Sequence, residues 1–170
     1  MKGENCSMQV YLLRHGIAEE GTSQTGDSDR ALTNDGRKKL RQVLTHVAEA
    51  GVKIDLVLTS PLKRAVQTAA VAVSCLKSKP ETLVCKTLAP GGTVEDVWSE
   101  IRVHRDAEAL LLVGHNPLFG NLASFLLGAP ELHVDFKKGA VMRIDFDALG
   151  PKPRGVLHWY LTARLAGTGE

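Results

Sequence analysis

The sequence predicts an α/β fold: a three-layer α/β/α sandwich around a mostly parallel sheet, with antiparallel strands at one edge. Three observations predict it. Over residues 8–128, short and nearly pure apolar runs alternate with longer segments of helical periodicity, the pattern of buried parallel strands joined by crossover helices. Beyond residue 130 the apolar runs follow one another with no helical segment between them, which implies hairpins. The 170 residues, 44% hydrophobic and 24% charged, have an ordinary globular composition and are numerous enough to bury a core without staples.

Taken in order, Met8 to Leu13 is an apolar run that stops at Arg14 and reads as the first strand. Glu19 to Ala31 is polar, holds Gly21, Gly26 and Asp27, and reads as loop. Thr33 offers a helix N-cap, Leu40, Val43, Leu44, Val47 and Ala48 follow at helical spacing, and Gly51 closes the helix. Ile54 to Thr59 is the second strand. Ser60-Pro61 then supplies an N-cap followed by Pro at the first helical position, and the helix runs from Leu62 to Leu76. Leu83 to Leu88 is read as a third strand, Val94 to His104 as a helix, and Ala109 to Val113 as a fourth strand. Asn116-Pro117 opens another helix that ends at Gly128. Leu132 to Phe136, Ala140 to Phe146 and Val156 to Arg164 are read as closing strands. The organisation expected is one domain over residues 8–166 behind a short polar leader, 1–7.

Composition excludes several classes. The formal charge of +2 (21 basic against 19 acidic residues) is not that of a dedicated nucleic-acid binder. No stretch approaches the ~20 apolar residues of a spanning helix, so no membrane role is expected. The start of the chain has no apolar core of a secretory signal. Cys6, Cys75 and Cys85 are odd in number and far apart, so reduced thiols and a cytoplasmic setting are expected.

Chemistry concentrates at three strand ends, where open α/β sheets bind ligands. The first strand ends in Arg14-His15-Gly16. The second runs into Thr59-Ser60-Pro61, with Arg64 one turn into the next helix, and the fourth ends in Gly114-His115-Asn116-Pro117. Each junction also exposes helix N-terminal N–H groups, which favour negative charge. Singly, each feature has an ordinary reading: a chance tripeptide, a surface arginine, a turn histidine. Together, two arginines and two histidines describe a pocket for a tetrahedral dianion such as phosphoryl.

At these residues the sequence resembles the histidine phosphatase superfamily, whose fold is that of phosphoglycerate mutase. The resemblance is carried by Arg14-His15-Gly16, by Ser60-Pro61-x-x-Arg64-x-x-Gln67-Thr68, by Val113-Gly114-His115 and by Leu32-Thr33-x-x-Gly36, over about Met8 to Leu126. The short chain, Arg30-x-Leu-Thr and Gly-His-Asn-Pro look most like phosphohistidine phosphatases of the SixA type. The resemblance implies a histidine nucleophile, His15, and a phosphohistidine intermediate. Arg14, Arg64, His115 and the Gly16 backbone would hold the phosphoryl group, with His115 protonated beside the dianion and no metal or cofactor needed.

The mutase and acid-phosphatase branches carry a catalytic acid on a longer segment between the second arginine and second histidine. Ala65 to Gly114 leaves little room for one. Candidates for that acid are Glu19, Glu20, Glu95 and Asp96, though each reads more readily as a solvated loop or helix-start carboxylate. A phosphohistidine substrate, with its good leaving group, relaxes the need. The expected partner is a phosphorylated signalling protein or a small phosphomonoester; a mutase-like enzyme and a non-catalytic phosphate-binding module are the alternatives. A serine hydrolase is excluded for want of a G-x-S-x-G elbow. His46, His104, His133 and His158 have no ligand spacing, Trp98, Trp159 and Tyr160 read as packing, and Lys137-Lys138 read as a solvated turn or the approach for an acidic partner.

Overall fold

The computed structural model describes residues 7–167. Six strands form one sheet in the order β3-β2-β4-β1-β5-β6. They are β1 (Met8–Arg14), β2 (Leu56–Thr59), β3 (Glu81–Val84), β4 (Ala109–Gly114), β5 (Val141–Phe146) and β6 (Val156–Leu161). The first four pair in parallel; β5 runs antiparallel to both β1 and β6. The helices are α1 (Asn34–Glu49), α2 (Lys63–Cys75), α3 (Val94–Val103) and α4 (Leu118–Leu126).

Alternation of side chains along a strand makes this a sandwich. On β1 and β4, Tyr11, Leu13, Leu111 and Val113 face α1 and α2, packing with Leu40, Val43 and Ala69. Val10, Leu12, Leu110 and Leu112 face the other way, towards Val97, Trp98 and Ile101 of α3 and Phe119 and Leu122 of α4. Every residue of β4 is buried, as a central parallel strand covered on both faces must be.

Thr33 caps α1, its hydroxyl accepting from the Gly36 N–H at 2.9 Å. Gly36 itself is required by close approach: a Cβ there would stand 2.2 Å from the Ile17 carbonyl oxygen.

Four expectations need correction. Ser60 does not cap α2, which begins at Lys63, because its hydroxyl is engaged elsewhere. The third strand lies at Glu81–Val84 rather than Leu83–Leu88; β2 offers only four residues to pair with, and the apolar run ends in a 3-10 turn that buries Leu88. Leu132 to Phe136 is not a strand. Both edges of β1 are already taken, by β4 and β5, and the segment is held instead by the Tyr160 hydroxyl, which donates to the Asp135 carbonyl (2.9 Å) and accepts from the Lys137 N–H (2.8 Å). The last strand stops at Leu161, leaving Thr162–Arg164 in a turn. Cys6 and all of the expected leader but Ser7 lie outside the described residues; Cys75 and Cys85 are free thiols.

Candidate active site

Register alone brings the two histidines together. Arg14 of β1 lies opposite Gly114 of β4, so His15 and His115 leave neighbouring parallel strands at the same level. The ring centroids are 5.0 Å apart, tilted by 53°. Thr59 of β2 lies opposite Val113, which puts Ser60 at that level too, and Arg64 follows in the first turn of α2. Among the described residues, His15, Ser60, Arg64 and His115 are among the few buried polar side chains, each at most 6% exposed.

His15 has a defined tautomer. Its Nδ1 stands 2.7 Å from the Gly16 carbonyl oxygen, which can only accept, so Nδ1 bears the proton. Nε2 then presents its lone pair, to which the Arg64 Nε–H donates at 3.3 Å. Burial is the main cause that drives the His15 pKa down to about 3, and the neighbouring His115, Arg64 and Arg14 push the same way against the Gly16 hydrogen bond. At neutral pH the ring is therefore uncharged.

His115 shares this buried, cationic environment. Burial, reinforced by Arg64 and Arg14 and opposed by Asp27, lowers its pKa to about 4, so in the surroundings the protein provides it is neutral rather than protonated at pH 7. Its Nε2 lies 2.7 Å from the Ser60 hydroxyl, which also accepts the Leu62 N–H at 3.3 Å. The hydroxyl can give its own proton to Nε2, and in that tautomer Nδ1 is the N–H. Nδ1 is buried with no protein partner, as is Nε of Arg14. Orphaned donors of this kind are costly unless a ligand accepts from them.

The two arginines are held differently. Arg64 Nη1 donates to the Asp27 carbonyl oxygen (2.7 Å) and Nη2 meets the Asp27 carboxylate (3.1 Å). Asp27 also pairs with Arg30 at 3.1 Å, and the two guanidinium groups hold its carboxyl below the usual range. Arg14 Nη1 donates to the Phe136 carbonyl at 2.7 Å, and the Asn116 amide donates to the same oxygen at 3.0 Å.

The remaining motif residues fasten the site. Gln67 Oε1 accepts the Leu32 N–H (2.8 Å), and the Thr68 hydroxyl accepts the Gly16 N–H (3.2 Å) while donating to the Arg64 carbonyl (2.7 Å). The Gly16 N–H is therefore already committed in this arrangement.

None of Glu19, Glu20, Glu95 and Asp96 has its carboxylate in a hydrogen bond or ion pair with these groups among the described residues, and all four are exposed. The carboxylate at the site is Asp27, three residues before Arg30 in the stretch read as plain loop. Its only sequence signal is that spacing, which gives the ion pair with Arg30. Among the described residues no group of three or more His, Cys, Asp or Glu is disposed to hold a metal ion, and no helix is long and apolar enough to cross a membrane.

The chain is similar to several known proteins. The model of the histidine phosphatase superfamily (branch 1) matches residues 10–84. An uncharacterized protein of Picosynechococcus sp. is 33% identical over 138 residues, 79% of this chain and 83% of that one. Phosphohistidine phosphatase SixA of Escherichia coli is 29% identical over 157 residues, 91% of this chain and 94% of that one. A solved structure of the protein histidine phosphatase SixA complexed with tungstate superposes with a TM-score of 0.79 at 26% identity, covering 92% of this chain and 98% of the other. The six-stranded sheet with its four helices is thus the phosphoglycerate mutase-like fold, and the chain belongs to the histidine phosphatase superfamily.

Proposed function

We propose that the protein is a metal-independent phosphatase that takes the phosphoryl group onto His15 Nε2 and acts on phosphohistidine in a signalling protein. The observation that carries this reading is the unprotonated His15, with Nδ1 locked to the Gly16 carbonyl and Nε2 facing Arg64. In the first step the Nε2 lone pair forms a bond to phosphorus while the bond to the leaving nitrogen or oxygen breaks, its electron pair staying with the leaving atom, which takes up a proton. In the second step water adds to phosphorus, the P–Nε2 bond breaks, and inorganic phosphate leaves. Arg64, Arg14 and the Nδ1–H of His115 neutralise and orient the non-bridging oxygens, the main requirement of phosphoryl transfer. Tungstate, bound by the SixA structure, is itself a tetrahedral oxyanion.

The state of the acid supports this substrate class. Asp27 is held ionised by Arg30 and Arg64 and is a poor proton donor at neutral pH. A P–N bond, whose imidazole leaving group departs readily, suits such a site better than an alkyl phosphate does. The test is hydrolysis of a phosphohistidine peptide and of p-nitrophenyl phosphate in the presence of EDTA by wild type and His15→Ala. Turnover by wild type alone is expected; undiminished turnover by the variant would remove His15 as the nucleophile, and loss of wild-type activity with EDTA would remove metal independence.

A further inference from the structure

Beside Arg14 and Gly16 opens a groove of about 1070 Å³, just above the roughly 300–1,000 Å³ of typical ligand clefts and larger than a phosphoryl group alone requires. One wall belongs to α1, the other to the segment before β5 and the turn after β6. Ile17, Leu40 and Ala163 contribute apolar surface. Five cations line the groove (Arg14, Lys39, Lys137, Lys138 and Arg164) and no acidic residue does. Half-buried Lys39 pairs with exposed Asp35 at 3.0 Å, and Lys137 pairs with Asp135 at 2.6 Å on the exposed surface. Lys138 and Arg164 have no side-chain ion pair among the described residues.

We propose that this groove is a second anion subsite, which selects substrates whose leaving group carries a carboxylate or further phosphate in addition to the phosphoryl group. The inference rests on the phosphatase reading above and narrows its substrate class. Arg14 is common to both places: its orphaned Nε belongs to the phosphoryl site and its side chain lines the groove. A substrate that reaches from the phosphoryl position past Arg14 would enter the groove. A low-dielectric cleft lined by one sign of charge focuses its field and raises the local concentration of a matching guest. The apolar surface accommodates the body of the leaving group while Lys138 and Arg164 meet its charge.

The test uses matched pairs. One pair is 4-carboxyphenyl phosphate and its uncharged amide; the other is a phosphohistidine peptide flanked by Glu and the same peptide flanked by Gln. For wild type, kcat/KM should favour the anionic member of at least one pair by about tenfold at low salt, and the ratio should shrink as ionic strength rises. In the Lys138→Glu/Arg164→Glu variant the ratio should fall to about one; as a ratio within one variant, it cancels any general loss of activity. A preference confined to the phenyl pair assigns the second anion to a small molecule, and one confined to the peptides assigns it to the acidic flanks of a phosphorylated protein. Equal turnover within both pairs, or a preference that survives the charge reversal, overturns the subsite. Wild-type turnover of p-nitrophenyl phosphate that depends on His15 would leave the phosphatase reading standing in that event. Calorimetric binding of the same pairs decides the subsite even where no turnover is seen.

Discussion

The two halves of the sheet do different work at one end of the molecule. The parallel strands β1, β2 and β4 all point their carboxyl ends the same way, and the residues that follow them supply side-chain chemistry: His15, Ser60 with Arg64, and His115. The antiparallel half arrives at that end with the start of β5 and the close of β6. It supplies backbone: the Phe136 carbonyl that holds Arg14, and the Gly139 N–H that donates to the Arg14 carbonyl at 3.0 Å. Its cations, Lys137, Lys138 and Arg164, sit in the groove rather than around the histidines. Strand direction has thus separated the residues proposed for bond-making from those proposed for recognition, and substitutions in the two halves should have different kinetic signatures.

The hardest blow to that division is His15→Ala, which should lower kcat by at least ~10³-fold while leaving the fold intact, as read by circular dichroism and single-turnover assays. Next come Arg64→Lys and Arg14→Lys, each exchanging a planar fork for a point charge. A loss of ~10–100-fold in kcat/KM is expected from one or two charge-assisted hydrogen bonds. If Arg14→Lys, whose side chain touches both halves, changed only KM, the division would have to be redrawn.

Acid stability tests the parallel half by itself. In the fold His15 and His115 stay neutral down to about pH 3 and 4, whereas the unfolded chain takes up protons near pH 6.5. The unfolded state then binds more protons, so stability is lost as pH falls from 6.5 towards 4. Each histidine adds about 1.36 kcal/mol per pH unit to that slope. Urea titrations across this window should show the slope reduced by one such increment in His115→Asn. The smallest effect is expected from Tyr160→Phe in β6, which removes the hydroxyl that braces Asp135 and Lys137. A loss of about 0.5–1.5 kcal/mol in stability should accompany a KM change of a few-fold at unchanged kcat.

Much of this arrangement is legible in residue order. Apolar runs find β1 and β4 because central parallel strands are buried on both faces, and the site residues stand at strand ends where periodicity breaks off or, for Arg64, in the first turn of the helix that follows. Asp27 was not legible: it is a polar residue in a polar loop, and its contact with Arg64 spans 37 positions that no local pattern links. The lowered pKa of His115 was not legible either, since it comes from burial and from two nearby guanidinium groups rather than from its sequence neighbours. The false strand at Leu132–Phe136 has a similar origin. Phe136 is there to pack, against the rings of Phe119 (5.8 Å) and Tyr160 (5.3 Å), and packing leaves the same trace in sequence as pairing does.

Gly36 touches no candidate catalytic group, yet with Ile17 and Leu40 it forms one bank of the cleft. Because the helix rests directly on the Ile17 carbonyl there, a methyl group at this position would act as a shim, prising α1 outward and widening the channel from a distance. Redesign for bulkier guests would begin at that contact, away from the reacting atoms.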